Sequence, residues 1–486
     1  MPKLLYGAAV QGIQEYILRT NKLREIVEAS QVVADICTGL FLEVLKGEDL
    51  PGSEQECQMR EDPNFILHAA GNIKYIFDSL EECTRVVSVF PKTVMLAAPG
   101  ITVSQAVVQY KDDFASAVNE LEFKLRVQRN KASRSQTLGL LGIARSRQTG
   151  LPIQVKSLPR YVDDNLLVRA FGEENRTRVQ KRLDKIVTED NNWIAVIHAD
   201  GNGLGSIVQK VGSNATQFKV FSEKLDRATV QSAREAFNSV KGLFEGDDIP
   251  IRPVVLSGDD LTIVCRADIA LAYVETFISR FEENTAGLFD GIEVFTEGSI
   301  RDRMTACAGI AYVKSSYPYY YAYDLAESLC TAAKKDAKDK ETIREGKELP
   351  QSCIMFHKVQ DSFNEDYEKI IKRELSPCEN ISLKGGPYYL QDKPGRRTVK
   401  QVSKMLAELG KEENEPIKST IRQWLSALFR NEEFATQLLQ RAKSNSSNKA
   451  CELLKEATEC KNGSTMAYDL LALHTVKTKA NEYHSL

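Results

Sequence analysis

The sequence predicts an α+β chain in which two β-α-β-β-α-β units are followed by a helical domain. Three observations predict it. Apolar strand-like runs and longer helix-spaced stretches recur twice in the same order, each repeat holds two apolar runs split by a glycine-containing turn, and helical spacing dominates from about residue 346.

The second repeat is the sharper one. Trp193–Asp200 is a short apolar run rich in strand formers, broken by Gly201–Gly205. Residues from about 213 to 243 read as helix, ending at Gly246. Pro253–Leu256 and Leu261–Cys265 are apolar runs around Ser257-Gly258-Asp259-Asp260, a hairpin signal. Ala270, Val274, Phe277 and Phe281 recur at helical spacing, Met304–Val313 is a fourth strand, and Ala322, Leu325, Ala326, Leu329 and Ala333 mark a last helix. This order is a ferredoxin-like or palm layout.

In the first repeat, Leu4–Val10 is a strand and Gln11 to about Leu45 is largely helical. Phe65–Ala70 and Ile73–Phe77 flank a turn at Gly71-Asn72. Val94–Ala98 reads as a further strand, before helix up to about Arg129. The shared order implies a structural duplication. Four regions follow: a first palm at 1–129, a basic, loop-rich then helical link at 130–190 with an exposed turn at 145–152, a second palm at 191–345, and a helical domain at 346–486.

The 486 residues carry a net charge of −3, so bulk charge does not advertise nucleic-acid binding. None of the ten cysteines forms C-x-x-C, and no Cys/His group has zinc-ligand spacing, so no zinc site is expected. No apolar run reaches the roughly 18 residues of a membrane span, and no signal-peptide layout opens the chain. A soluble, cytoplasmic protein without a membrane partner is expected.

Chemistry concentrates in three carboxylates. Phosphoryl transfer to a 3′ hydroxyl requires the attacking oxygen to lose its proton and the phosphate charge to be neutralised, which two divalent ions about 3.5–4 Å apart achieve. Mg²⁺ takes hard oxygen ligands, so two or three carboxylates must meet on a rigid support. Asp200 ends a strand, and Asp259 and Asp260 sit at a hairpin tip. In a β-α-β-β sheet that strand and that hairpin are neighbours. Mg²⁺ or Mn²⁺ on Asp200, Gly201, Asp259 and Asp260 is therefore expected, with Asp200, Asp259 and Asp260 as the catalytic set. Ser257 and Gly258 flank the acidic tip, and Gly203, Leu204 and Gly205 with Gly201 form a strand-to-helix turn whose amides could face a triphosphate. A second Gly-Asp-Asp, Gly246-Asp247-Asp248, has no apolar run immediately before it and reads as a solvated turn.

Lys334 and Lys338 share a helix face at i, i+4 and are candidate phosphate ligands, although Asp336 and Asp339 interleave with them. His198 points to the same strand face as Asp200 and reads first as a packed polar residue. The other histidines, His68, His357, His474 and His484, form no adjacent His-Asp pair, and no P-loop is present.

The chain resembles the large polymerase/cyclase subunit of type III CRISPR effector complexes, which carries two palm domains related to GGDEF cyclases. Residues 9–36 are similar to the start of that family's first palm, and AAGNIKYIF (69–77) to its glycine-containing hairpin. HADGNGLG (198–205) resembles the metal-binding strand end of the second palm, SGDDLTIV (257–264) stands at its Gly-Gly-Asp-Asp, and 307–338 is similar to its last strand and helix. The resemblance implies synthesis of cyclic oligoadenylate from ATP as an antiviral second messenger. It implies metal binding by Asp200, Asp259 and Asp260, and a second nucleotide pocket without metal ligands near Gly12, Gln14 and Gly71. As partners it implies ATP or another nucleoside triphosphate, effector subunits and guide or target RNA; a stand-alone homo-oligomer is the other arrangement considered. Ser257 replaces the first glycine, and Asn202 stands where a second Asp is often seen. The family's His-Asp nuclease domain and cysteine-rich zinc element have no counterpart here, so DNA cleavage is not expected. A catalytically silent palm scaffold and a GGDEF-like cyclase using GTP remain alternatives at this stage.

Overall fold

The computed structural model describes residues 3–18, 20, 23–47, 59, 61–69, 71–110, 113–131, 142, 165–176, 178, 186–187, 192–212, 214–244, 249–292, 295, 303–338, 349–360 and 367–476. The turn at 145–152, the Gly246-Asp247-Asp248 turn, His484 and most of the 130–190 link lie outside the described residues.

The first unit runs β1 (Lys3–Gln11), α1 (Ile13–Ile17), α2 (Leu23–Cys37), α3 (Gly39–Lys46), β2 (Phe65–Ala69), β3 (Asn72–Phe77), α4 (Leu80–Ala97), β4 (Thr102–Tyr110) and α5 (Phe114–Lys131). Its sheet has the order β2-β3-β1-β4. Two readings are corrected. Residues 94–97 belong to α4, not to a strand: Ser79 caps that helix by accepting from the Glu82 N–H, and Cys83, Val86, Phe90 and Val94 bury one face at helical spacing. The closing strand is Thr102–Tyr110, paired along its length with β1. The hairpin turn is also displaced by one residue, because Asn72 already pairs with Ala69 as the first residue of β3.

After α6 (Asn165–Phe171), the second unit runs β5 (Trp193–Gly201), α7 (Leu204–Val211), α8 (Ala215–Val240), β6 (Ile251–Ser257), β7 (Asp260–Arg266), α9 (Ala270–Thr285), β8 (Ala306–Lys314) and α10 (Tyr319–Ala337). Its strands stand in the order β6-β7-β5-β8, the order of the first sheet, so the duplication extends to topology. Strand β5 is central and buried along Ile194–Ile197, which explains a continuous apolar run in place of alternation. Helix α10 lies on β8 so closely that a Cβ at Gly309 would stand 2.0 Å from the Ala326 carbonyl oxygen.

The expectation of a purely helical region from 346 onward is corrected. β9 (Cys353–Lys358) adds to β8 in parallel, and β10 (Tyr388–Tyr389) and β11 (Arg397–Thr398) extend the sheet to seven strands. All six β9 residues are buried, and so short an apolar run carries no period that separates strand from helix. α11 (Tyr367–Glu374), α12 (Val399–Leu409), α13 (Glu415–Leu428), α14 (Glu432–Ser444), α15 (Asn448–Ala457) and α16 (Ala467–His474) complete the chain. The Thr398–Gln401 capping box starts α12, whose Val402, Met405, Leu406 and Leu409 are buried.

The two units touch through Ser30 Oγ donating to the Val254 carbonyl at 2.6 Å, Lys219 Nζ to the Asp62 carbonyl at 2.8 Å, and Gln14 Nε2 to Glu327 Oε2 at 3.4 Å. Among the described residues no helix is long and apolar enough to cross a membrane.

Candidate active site

The strand end and the hairpin tip meet. Asp200 lies one residue past the Ala199↔Leu261 pair, beside Asp260. The Gly201 N–H donates to Asp259 Oδ2 at 3.2 Å. That approach requires glycine, because a Cβ at 201 would stand 2.6 Å from the same oxygen. Gly258, at φ +62°, and Asp259 form the two-residue loop between the paired Ser257 and Asp260. His198, Asp200 and Asp260 each present a ligand atom, and these atoms all lie within 4.8 Å of one another.

Lys334 Nζ donates to Asp200 Oδ2 and, at 2.8 Å, to the Gly201 carbonyl. Burial, and then the charges of Asp260 and Asp200, push the Asp259 carboxyl well above the usual carboxylate range. Burial and the facing Asp200 push Asp260 up to about 7, against the opposing pull of Lys334. Burial lowers His198, which favours a neutral imidazole whose Nδ1 lies 3.2 Å from Thr262 Oγ1.

The other predicted residues gather at the same end of the sheet. Gly203, Leu204 and Gly205 open α7 directly after Gly201. Ser257 precedes the tip. Lys338 is exposed at the end of α10, one turn beyond Lys334. In the first unit Gly12, at φ +74°, caps α1 as Gly203, at φ +73°, caps α7. A Cβ at Gly71 would meet the Ile13 side chain, so the first hairpin tip also abuts its strand-to-helix turn. Matching the hairpin registers sets Ala9 against Asp200, Gly71 against Asp259 and Asn72 against Asp260. The first unit thus has none of the three carboxylates. Asn202 is buried, and its amide donates to Thr305 Oγ1 and the Pro350 carbonyl, a structural use of that position.

Three contributors escape sequence reading. His198 joins the acidic cluster, although it read first as a packed residue; its spacing from Asp200 was the signal. Glu327 lies seven residues before Lys334 on the same face of α10, where its charge is felt by Asp260. Asp226 braces the hairpin: Oδ1 accepts from the Gly258 N–H at 3.3 Å and Oδ2 from Arg169 at 2.7 Å, while Thr229 Oγ1 donates to the Gly258 carbonyl at 2.6 Å.

The donor set fits a divalent cation. Among the described residues Asp260, its carboxyl pushed up by burial and by the facing Asp200, has one ammonium, that of Lys334, among its charged neighbours, and a neutral imidazole adds a nitrogen donor.

Residues 193–344 match the family described as Cas10/Cmr2, second palm domain. No curated protein sequence matches the chain. A crystal structure of a Csm1-Csm4 cassette in complex with cA4 aligns with TM-score 0.56 at 13% identity, over 98% of this chain and 69% of that one. The apo Csm1-Csm4 cassette aligns with TM-score 0.57 at 14% identity over the same shares. The Csm1-Csm4 subcomplex of the type III-A CRISPR-Csm interference complex aligns with TM-score 0.55 at 14% identity, over 97% and 70%. At such identities the likeness is one of fold. That fold spans nearly the whole length of the chain, which is Cas10-like in fold, and the family match to the Cas10/Cmr2 second palm domain falls on the sheet that holds the carboxylates.

Proposed function

We propose that this chain is a metal-dependent nucleotidyltransferase that converts ATP into a cyclic oligoadenylate-type second messenger in antiviral defence. The observation that carries the reading is the convergence of Asp200 and Asp260 with His198, ligand atoms all within 4.8 Å, beside Asp259. Relatives of the same fold support it, having been crystallised with cA4 and with pppApApA.

In this reading Asp200, Asp259 and Asp260, with the Gly201 carbonyl, hold Mg²⁺ or Mn²⁺, and His198 adds a nitrogen. Such a cation supplies charge neutralisation for the triphosphate and lowers the pKa of the attacking 3′ hydroxyl. Ser257, Gly258, Gly203, Leu204 and Gly205 line the triphosphate. Lys334 and Lys338 are its point charges. Gly12, Gln14 and Gly71 of the first palm hold the second nucleotide, and the Gln14–Glu327 bond connects that pocket to the acidic one. Effector subunits and guide or target RNA are the proposed partners.

A silent scaffold is the second reading. The Lys334–Asp200 pair favours it, because it neutralises one carboxylate without any ion. Purified protein incubated with each labelled nucleoside triphosphate and Mg²⁺ or Mn²⁺, with and without target RNA and partner subunits, separates the two. A cyclised or oligomeric product lost in Asp259→Ala/Asp260→Ala is expected. Product that persists in the double variant would remove the site assignment, absence of product under every condition would leave the scaffold, and product from GTP alone would change the substrate.

A further inference from the structure

The sheet carries a second group of charges at the end away from the carboxylates. Trp193 opens β5 seven residues before Asp200, about 23 Å away at the strand rise, and the odd spacing turns its side chain to the other face of the sheet. Lys314 ends β8 directly opposite Trp193, and Lys358 ends β9 opposite Tyr312. Lys314 Nζ stands 4.0 Å from the Trp193 ring centroid, and Lys358 Nζ, reaching across β8, stands 4.3 Å from it. Sharing one ring holds the two ammoniums to at most about 8 Å from each other.

Both hold neutral acceptors. Lys314 Nζ donates to Asn192 Oδ1, and Lys358 Nζ donates to Thr475 Oγ1 at the end of α16. Among the described residues neither ammonium forms an ion pair. Yet Lys358 is 8% exposed, a burial that lysine rarely reaches without a counter-charge. Burial, and then the Lys314 charge, lower its pKa to about 8, so the pair is costly to keep charged until an anion joins it. The indole face attracts both ammoniums but carries no net charge to cancel theirs. Asn192 and Thr475 are exposed, and Trp193 and Lys314 are half-buried, so the pair opens to solvent.

We propose that Lys314 and Lys358, beside Trp193, form an anion site that takes a phosphate group, remote from the carboxylate centre and independent of the nucleotidyl-transfer reading. Two positive charges with only neutral acceptors match a phosphate group, which carries about −1.5 to −2 at pH 7, better than they match one carboxylate. Each ammonium has three donors and spends one on Asn192 or Thr475, which leaves two for phosphate oxygens. Free phosphate, a nucleoside monophosphate and an RNA 5′-phosphate all present this chemistry.

Titration of the full chain with inorganic phosphate at pH 7 in EDTA, read by tryptophan emission, tests this. Of the two tryptophans, Trp424 is buried in α13, so a Trp424→Phe background leaves Trp193 as the local reporter. A saturable change is expected with phosphate and not with chloride or acetate at matched ionic strength. Lys358→Met and Lys314→Gln should each weaken it about tenfold, whereas Lys334→Gln, at the other end of the sheet, should leave it unchanged. AMP, and one RNA with and without its 5′-phosphate, identify the source: whichever binds more tightly than inorganic phosphate carries the group, and equal affinity for all assigns the site to free phosphate. Calorimetry on the unaltered chain and the two lysine variants repeats the comparison if Trp424→Phe does not fold. No saturable change, an equal response to acetate, or unchanged affinity in both lysine variants would overturn the proposal.

Discussion

The Gly201 N–H donates to Asp259 Oδ2 at 3.2 Å, tying the hairpin tip to the end of the neighbouring strand. The bond fixes which way one carboxylate points, while Asp200 and Asp260 turn toward His198 and Lys334.

Gly201→Ala should break this arrangement. The added methyl would lie 2.6 Å from Asp259 Oδ2, so the tip must shift. A loss of about 1–3 kcal/mol in unfolding free energy is expected, with weaker Mn²⁺ binding by calorimetry. Unchanged metal affinity would show that Asp259 is not held by this contact.

The raised carboxyl groups set a pH dependence. Asp259 and Asp260 ionise less readily folded than unfolded, so the folded chain binds the extra protons between about pH 4 and 7. Stability of the metal-free protein therefore falls as pH rises through that window. Buried Asp469, pushed up to about 7, acts with the same sign, so the site's share is read as wild type minus variant. In EDTA at pH 8, Asp260→Asn should be more stable than wild type by about 1–3 kcal/mol, with the difference vanishing near pH 4. Melting temperatures across pH check this, and a constant difference would contradict it.

Metal choice should depend on His198. A neutral imidazole nitrogen beside two carboxylates suits Mn²⁺ better than Mg²⁺, which prefers an all-oxygen shell. His198→Ala should weaken Mn²⁺ binding about tenfold and leave Mg²⁺ nearly unchanged. Equal losses for both ions would show that His198 only packs.

The Asp226 brace should act at a distance from the metal. Asp226→Ala frees the Gly258 N–H and unpairs Arg169, both only partly buried, so a stability loss of no more than about 1 kcal/mol is expected. Faster hydrogen exchange at the Gly258 amide and reduced divalent affinity should accompany it. Arg169→Ala should reproduce the effect in weaker form.

Much of the fold was legible from local pattern. The strand at 193–200 is a short apolar run because β5 is covered on both sides, and the helices carry their buried faces at regular spacing. Gly258 marked a tight turn, since its positive φ is costly for other residues. These signals alone placed Asp200, Asp259 and Asp260 at strand ends. Local pattern failed where a short apolar stretch fits two periods, at 94–98 and at 353–358, and where the hairpin at 69–72 slipped by one residue. Strand register and helix packing alone decided that His198 joins the carboxylates, that Lys334 engages Asp200, and that Asp226 and Glu327 attend the site. The physical reason is range: a few neighbouring residues specify backbone conformation, whereas convergence of side chains far apart in the chain depends on how completed elements pair and pack.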